Sequence, residues 1–341
     1  MKLRHVYGID MGTGSVKIYD RNNNSIIKEY NMIALRGKDN VFAVGNDAYD
    51  IFEKTPENME LITPMSGGRI QNVLMMEAVL HLLLRKTGRF AGYSPLLYFS
   101  VPLDMTELER RAYVSIAQKG RFKRSRVLFV EKPFADAFAL GLPVEEVEGT
   151  MLVNLGAQNT EISILCRGQI IINRTIDIGG DRLNAAVVSG VRKKNSLTIS
   201  QRCAHRLKIT LADLAKDPVE GCKVAGIDTE SGLPRDGIIS SYTVSSCVRD
   251  VVSEIALEIR RLLERIPPQI QAVLQKEGIW ISGGCTRIPG MDRCLEGMLD
   301  YPVHLSEHFE FTTIQGLKEI IDHKELREYA FAPQRRKYGM L

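Results

Sequence analysis

The sequence GIDMGTGSVKIYD, at residues 8–20, decides the fold class. It lies within three alternating apolar runs, Val6 to Met11, Ser15 to Tyr19 and Ser25 to Tyr30, which glycine and asparagine turns separate. Such runs predict an antiparallel meander of three strands. A similar unit, VNLGAQNTEISIL at residues 153–165, restarts the pattern near the middle of the chain. The repeat predicts two duplicated halves that face each other across a cleft.

Strands and helix-period segments alternate after each unit, which indicates the α/β class. A helix is expected from Val73 to Leu84, with Leu74, Ala78 and Leu82 on one face. Thr106 is expected to begin the next helix, because Glu109 completes a capping box with it. Other segments follow from periodicity and turn signals: strands at 95–101, 127–130 and 278–282, and helices at 133–140, 182–191, 200–216 and 243–265.

The composition excludes several classes of protein. The 341 residues are 44% hydrophobic and 25% charged, so collagen, coiled coil and extensive disorder are ruled out. The net charge of +4, with basic residues scattered among acids, gives no reason to expect a nucleic-acid partner. No long apolar run or signal-peptide core occurs, and a cytoplasmic location is expected. The six cysteines form no CxxC pair and are expected to be reduced thiols.

Two glycine-rich hairpins carry the predicted chemistry. In the first, Gly12 and Gly14 let backbone amides turn toward an anion without obstruction by a Cβ. Asp10 precedes them at a strand end, and Lys17 on the return strand could contact phosphate oxygens. The second hairpin repeats the arrangement at Gly156. Glycine that serves only the turn is the alternative for a single hairpin, but two facing hairpins are more specific for phosphate.

A third segment, ISGGCTRIPG at residues 281–290, predicts a loop for the adenosine moiety. It combines a buried strand, Gly283 and Gly284, and a helix opened by Pro289. Close backbone approach at the glycines would let a flat ring lie against the main chain. Such an arrangement is common at ligand sites near strand carboxyl ends.

These three segments, in this order, resemble those of the actin-like ATPases, and further motifs narrow the resemblance to the MreB bacterial actins. The motifs follow the family's order: TPMSGGRI (63–70), VPLDMTELERRA (101–112), EKPFADAFALGLPV (131–144), IDIGGDRLNAA (176–186), GIDTESGLP (226–234) and LERIPPQI (263–270). The resemblance implies an actin-like fold, with ribonuclease H-like duplicated domains around a central nucleotide cleft. The halves are expected at 1–145 and 146–341, with inserted subdomains at about 32–70 and 182–242.

The resemblance also implies that the chain binds ATP, and that any Mg²⁺ would be held by Asp10 through water. On the helix of Lys208, His205 replaces the family's glutamate and could equally be a surface residue. The nucleotide contacts expected from the hairpins and the resemblance together are Gly12, Thr13, Gly14, Ser15, Lys17, Gly156, Ala157, Gln158, Asn159, Thr160, His205, Lys208, Gly283, Gly284 and Cys285.

Two catalytic positions depart from the family pattern, although Asp10 is kept. Lys132 replaces the glutamate that polarises the attacking water, while its neighbour Glu131 remains. Asn154 replaces the aspartate that opens the second hairpin. Hydrolysis is therefore expected to be weak, unless Glu131 takes the vacant role or another geometry supplies it. Lys17 also makes the first hairpin more similar to that of eukaryotic actin.

The resemblance implies a cytoskeletal protein that forms filaments with itself at the inner face of the cell membrane. Its expected partners are membrane proteins of cell-shape maintenance or wall synthesis. One alternative is a soluble small-molecule kinase of the same superfamily, and another is a nucleotide-binding scaffold that does not polymerise. A kinase of that kind generally needs a catalytic carboxylate near the transferred phosphate, and Asp10 is the one obvious candidate.

The segment from Arg85 to Tyr93 is the predicted membrane contact. It combines three basic residues with two aromatic ones, Phe90 and Tyr93, on an expected loop. Basic residues attract anionic lipid, and aromatic rings are favoured at the membrane interface. The alternative is that Phe90 packs against its own domain.

Two further patterns are not interpreted as sites. His304 and His308 have the spacing of metal ligands on a helix, but the strand expected at 301–305 would point them apart. They are therefore predicted to be surface residues. Cys285 has no histidine or basic activator beside it in the sequence, so a space-filling role is expected.

Overall fold

The computed structural model describes residues 5–37, 40–52, 56, 58–88, 94–216 and 220–334. The chain divides into two compact units. Unit 1 comprises Met1–Val144 together with Phe311–Leu341, and unit 2 comprises Glu145–Glu310.

Strands and helices of the described residues alternate in both units, as the α/β prediction requires. The strands in chain order are β1 (Val6–Met11), β2 (Ser15–Asp20), β3 (Ser25–Tyr30), β4 (Ile33–Arg36), β5 (Asn40–Val44), β6 (Met59–Ile62), β7 (Met65–Ser66), β8 (Arg69–Ile70), β9 (Leu96–Val101), β10 (Arg126–Glu131), β11 (Thr150–Leu155), β12 (Thr160–Cys166), β13 (Gln169–Ile176), β14 (Leu197–Thr198), β15 (Gly221–Asp228), β16 (Pro234–Ser240), β17 (Ile279–Ser282), β18 (Val303–Leu305) and β19 (Ala330–Phe331). The helices are α1 (Asn46–Asp50), α2 (Val73–Lys86), α3 (Glu107–Ala117), α4 (Lys132–Ala139), α5 (Gly180–Asn195), α6 (Gln201–Leu211), α7 (Ser241–Leu263), α8 (Pro268–Glu277), α9 (Met291–Leu299) and α10 (Thr312–Asp322).

The main sheets of the two units share one five-stranded topology, to which β19 adds an edge strand in unit 1. In unit 1 the strand order is β19-β10-β9-β1-β2-β3, and in unit 2 it is β13-β12-β11-β17-β18. Each sheet begins with an antiparallel meander, β1-β2-β3 or β11-β12-β13. Two further strands, β9 and β10 or β17 and β18, then extend the sheet in parallel from the first strand of the meander. The internal repeat predicted from the two hairpin sequences is confirmed.

Both faces of β1 are buried, and the alternation of its side chains decides where the site residues project. Tyr7, Ile9 and Met11 belong to the core beneath α2. Val6 belongs to the core beneath α10, and a Cβ at Gly8 would contact α10 side chains. Because successive side chains of a strand point to opposite faces, Asp10 lies on the α10 face, near the carboxyl end of β1.

The segment from Phe311 packs in unit 1, whereas the sequence analysis assigned it to the second half. Its helix α10 buries one apolar face against the unit 1 sheet and α4. A buried hydrogen bond of 2.6 Å, from Thr313 Oγ1 to Asp136 Oδ1, joins α10 to α4. Periodicity reveals an apolar helix face but not the sheet that the face covers, so this assignment could not be read from the sequence.

Several local predictions can be compared with the structure. The capping box is confirmed, since Thr106 N donates to Glu109 Oε2 at 2.7 Å and Glu109 N donates to Thr106 Oγ1 at 3.3 Å. The helix predicted from Val73 is confirmed, but the face of Leu74, Ala78 and Leu82 is not its buried face: Leu74 is 65% exposed, and Ala78 and Leu82 are half-buried. Apolar residues surround much of this helix, so the packing partner decides which of them are buried. The buried positions of α2 are Met76, Val79, Leu80, Leu83 and Leu84.

Two helix boundaries in unit 2 also differ from the predictions. Helix α6 ends at Leu211 rather than at 216, because Asp213 Oδ1 accepts from the backbone of Ala215 and so forms a turn. Helix α9 begins at Met291 rather than at Pro289, because Gly290 takes a left-handed conformation with φ of 74°.

Smaller sheets extend both units. In unit 1, β5-β4-β6 form a three-stranded sheet and β7-β8 form a hairpin, and in unit 2, β14-β15-β16 form a three-stranded sheet. Within the described residues, no helix has the length and apolar character needed to cross a membrane.

Candidate functional site

A row of polar side chains crosses the unit 1 sheet just before the first hairpin. The strand registers place Ser100 of β9 beside Asp10, Asp10 opposite Lys17 of β2, and Lys17 opposite Lys28 of β3. Lys17 Nζ donates to Asp10 Oδ2 at 2.9 Å, and Ser100 Oγ donates to Asp10 Oδ1 at 2.8 Å. Residues directly opposite across strands lie on one face of the sheet, so the meander itself brings the carboxylate and the ammonium together.

The Asp10 carboxylate stays ionised although it is buried. Burial alone would raise its pKa, but the charges of Lys17 and Lys132 and the hydrogen bonds from Lys17 and Ser100 together lower the pKa below its ordinary value. Above that pKa, Asp10 is a fixed negative charge that holds Lys17 at the base of the hairpin.

Lys132 and Glu131 lie where β10 passes into α4. Glu131 is a buried residue at the end of β10 and the cap of α4, and Lys132 is the first residue of the helix. A positive charge at a helix N-terminus opposes the helix dipole, which favours anions there. Lys132 therefore adds to the positive charge near Asp10 at some cost to α4.

The backbone of the first hairpin is held from one side by Asn31. The Asn31 side chain donates to Gly12 O at 2.9 Å, and its backbone N–H donates to Gly14 O at 3.2 Å. In a trans peptide the N–H points away from the preceding C=O. The N–H groups of Thr13 and Ser15 therefore point away from Asn31, in the orientation that an anion-binding turn requires.

Thr13 links this hairpin to the segment after β7. Its Oγ1 accepts from Gly68 N at 2.9 Å, and a hydroxyl that accepts one bond can still donate its own proton. Gly68 and Gly67 both have positive φ values, which glycine adopts without strain.

Unit 2 carries an equivalent row in which the charges differ. Asn154 occupies the topological position of Asp10, with Glu161 of β12 opposite it and Ser282 of β17 beside it. Ser282 thus matches Ser100, and Glu161 matches Lys17. The two hairpins also close alike, since Gly12 N donates to Ser15 O at 3.0 Å and Gly156 N donates to Asn159 O at 2.9 Å.

The second hairpin packs on the N-terminus of α5. Gly180 N donates to Gly156 O at 3.0 Å, and Asp181 N donates to Ala157 O at 2.8 Å. A Cβ at Gly179 would lie 2.7 Å from the Gln158 backbone carbon, so only glycine permits this approach. Two further bonds fix the hairpin: Thr160 Oγ1 donates to Ile178 O at 2.7 Å, and Gln158 Nε2 donates to Asp181 Oδ2 at 3.0 Å.

Lys208 is buried beside this hairpin. Its Nζ donates to Gly180 O at 3.2 Å. Burial lowers the pKa of Lys208, and Cys285 and Asp181 only partly oppose the effect. His205 lies three residues earlier on α6 and is half-buried. Burial raises the pKa of Cys285, whose Sγ donates to Gly156 O at 3.5 Å, and its space-filling role stays a prediction.

The glycines of the predicted adenosine loop serve different purposes. Gly283 has a φ of 96° and approaches the backbone of Leu155, which leaves no room for a Cβ. The close approach predicted at this glycine is therefore made by the protein's own main chain. Gly284 is exposed, and the nearest atom to a Cβ there would be Glu310 Cβ at 3.8 Å, so this glycine is not crowded by the protein.

The Asp10 side chain does not fit the Mg²⁺ role that the resemblance assigns to it. Each of its oxygens already accepts a hydrogen bond, one of them from an ammonium group. The ammonium of Lys17 beside this carboxylate repels a second cation, although each oxygen keeps an acceptor lone pair. Across the described ranges, no group of three or more His, Cys, Asp or Glu residues could hold a metal ion.

The structure therefore brings the predicted residues of each unit into a hairpin-centred cluster, and their contact with a nucleotide stays a prediction. Four further residues at the hairpins were not predicted as site residues: Ser100, Asn31, Gly179 and Gly180. The register of the parallel strands β1 and β9 would have revealed Ser100. For Asn31 the sequence contains no signal beyond its position after β3. Phe90 and Tyr93 lie outside the described residues. His304 is on β18, His308 is beyond it and both are exposed, so the strand and the surface positions predicted for them are confirmed.

Comparison with known proteins gives the family. The chain matches the family model described as MreB/Mbl protein over residues 4–328. The cell shape-determining protein Mbl of Bacillus subtilis (strain 168) is 29% identical over 304 residues, 88% of this chain and 91% of that protein. The cell shape-determining protein MreB of Escherichia coli (strain K12) is 28% identical over 307 residues, 88% of each chain.

Solved structures share the fold. MreB5 of Spiroplasma citri bound to AMPPNP is similar with a TM-score of 0.88 at 23% identity, covering 96% of this chain and 98% of that chain. A MamK double helical filament is similar with a TM-score of 0.76 at 16% identity, covering 94% of this chain and 99% of that chain. The fold is thus actin-like, as predicted. The matched family model shows that this chain belongs to the MreB/Mbl family.

Proposed function

We propose that the protein binds ATP at its glycine hairpins and polymerises with itself on the cytoplasmic membrane, where it directs cell shape and wall synthesis. The observation that carries the proposal is the first hairpin, whose Thr13 and Ser15 N–H groups are aimed by Asn31 beside the positive charge of Lys17. Such a turn suits phosphate oxygens.

Relatives support both parts of the proposal. Crystal structures of Spiroplasma citri MreB5 are described as bound to AMPPNP and to ADP. MamK, which has the same fold, is described as a double helical filament. The Mbl and MreB relatives are named for determining cell shape.

In this proposal the nucleotide serves mainly as a ligand that stabilises one state of the protein. Lys132 has no acceptor lone pair with which to orient an attacking water, and Asn154 lacks the charge of an aspartate. The protein would bind ATP tightly and hydrolyse it slowly, so the ATP-bound form would predominate.

Self-association is the first expected result. Purified protein should sediment as filaments with ATP and anionic liposomes, and electron microscopy should show filaments on the lipid surface. Homogeneous monomers at high protein concentration, with and without ATP, liposomes or a crowding agent, would contradict the cytoskeletal role. A small-molecule kinase assay on the same preparation tests the enzyme alternative.

Membrane binding is expected to depend on Phe90 and Tyr93. Replacing both by serine should weaken the partition into anionic liposomes by about tenfold or more, because each ring loses its burial at the interface. Liposome flotation measures this partition. The matched control is Phe42→Ser with Tyr242→Ser, which removes two aromatic rings that are 48% and 58% exposed. Equal flotation of both double variants and the native protein would rule out this loop as the contact.

A further inference from the structure

We infer that this protein binds ATP without a divalent cation, because Lys17 supplies the positive charge for which the family pattern would need Mg²⁺. The inference rests on the proposed function, since it concerns how the same hairpin neutralises the phosphates. It is carried by the position and surroundings of Lys17 in unit 1.

Lys17 is built into the sheet rather than placed on the surface. It is 7% exposed, and its Nζ lies 2.9 Å from Asp10 Oδ2. Register fixes the pair, since the two residues face each other across β1 and β2 immediately before the hairpin turn. A buried ammonium held in this way is an ordered charge at the base of a turn whose Thr13 and Ser15 amides have the orientation that anion binding requires.

The same contacts use one acceptor site on each oxygen of the Asp10 carboxylate and place an ammonium beside it, so this carboxylate is a weaker metal ligand than an unpaired one. Asp10 Oδ2 is bonded to Lys17, and Asp10 Oδ1 accepts from Ser100 Oγ at 2.8 Å. A divalent cation placed near this carboxylate would be repelled by the adjacent ammonium of Lys17 and by the charge of Lys132, which also acts on Asp10.

The charge balance of the chain points in the same direction. A triphosphate carries several negative charges, and a site rich in carboxylates needs a metal ion to accept them. Here Lys132 stands in place of a glutamate and Asn154 in place of an aspartate, so the chain itself is more positive by three charges than the family pattern. An ammonium presents three N–H donors, of which the bond to Asp10 uses one.

The test compares binding of a fluorescent ATP analogue to the native protein in Mg²⁺ and in EDTA. We expect the two dissociation constants to agree within about threefold. By comparison, the loss of one decisive contact changes a dissociation constant by about tenfold. Binding in Mg²⁺ that weakens by about tenfold or more in EDTA would overturn the inference and leave the proposed function standing. A failure to bind in either buffer would overturn the proposed function and the inference with it.

Variants identify Lys17 as the source of the charge. Lys17→Met combined with Asp10→Asn removes the buried pair without leaving one charge unpartnered. We expect this double variant to lose about ten- to a hundredfold in affinity in EDTA, the loss typical of a charged hydrogen bond. Lys17→Arg keeps the charge and should bind in EDTA much better than the double variant.

The matched control is Lys28→Met, which removes an exposed lysine from the neighbouring strand in the same row. Thermal melting confirms that each variant is folded. Equal affinity of the folded double variant and the native protein in EDTA would show that Lys17 is not the source of the charge. An equal loss of affinity in Lys28→Met would show that the overall positive charge of the protein matters and that the position of Lys17 does not.

Discussion

Phosphate release from ATP should be near background in the native protein and should rise by on the order of 10²–10⁴-fold in the double reversion Lys132→Glu with Asn154→Asp. That range is the usual contribution of a side chain that takes or orients the proton of an attacking water. Lys132 cannot act in this way because an ammonium has no acceptor. Asn154 can accept a hydrogen bond but has no charge.

The reversion should be tolerated by the fold. Lys132 is the first residue of α4, where a glutamate is favoured by the helix dipole and a lysine is not. Asn154 and aspartate have nearly the same shape, although an aspartate would face the Glu161 carboxylate across β11 and β12. Thermal melting that matches the native protein shows that the variant is folded, so that a change in turnover reports on chemistry.

Steady-state phosphate release under saturating ATP measures the effect. The control is Lys123→Glu with Asn24→Asp, which makes the same change of net charge at two exposed positions and should leave turnover near background. Brisk turnover by the native protein that Asp10→Ala abolishes would contradict the prediction, and would indicate that Glu131 has taken the vacant role or that another geometry supplies hydrolysis.

Local signals in the sequence were enough to predict the parts of the site that lie close together in the chain. Asp10 and Lys17 flank one turn at equal distances, so the antiparallel pairing centred on that turn brings them face to face. The similarity of the two hairpin sequences predicted the duplicated sheets for the same reason, because each meander folds from a short continuous segment. The capping box at Thr106 also depends on neighbours in sequence only.

Contacts between distant segments could not be predicted from these signals. Ser100 reaches Asp10 only because β9 pairs with β1 in one register, and a parallel pairing has no turn to fix it. Asn31 orients the hairpin amides through a hydrogen bond that no sequence motif indicates. The segment from Phe311 joins unit 1 through a packing choice that periodicity leaves open.

The packing of the segment from Phe311 in unit 1 produces the largest stability effect that we expect. Gly316→Ala should lower the free energy of unfolding by about 3 kcal/mol, at the upper end of what overpacking costs. A Cβ at Gly316 of α10 would overlap the carbonyl group of Ala135 in α4. The obstruction is backbone, so no side-chain rotation relieves it, and α10 would have to move away from α4. That movement would also strain the bond from Thr313 to Asp136.

Thermal unfolding checks this expectation, with a melting temperature lower by roughly 6–12 °C for a unit of this size. The matched control is Gly297→Ala in α9, where a Cβ would meet nothing within 4 Å. There alanine should leave the melting temperature unchanged or raise it slightly, because glycine costs about 1 kcal/mol relative to alanine within a helix. The two substitutions remove the same backbone freedom, so the difference between them isolates the contact of α10 with α4. If the Gly316→Ala and Gly297→Ala proteins have the same melting temperature, this contact does not hold the segment from Phe311 in unit 1.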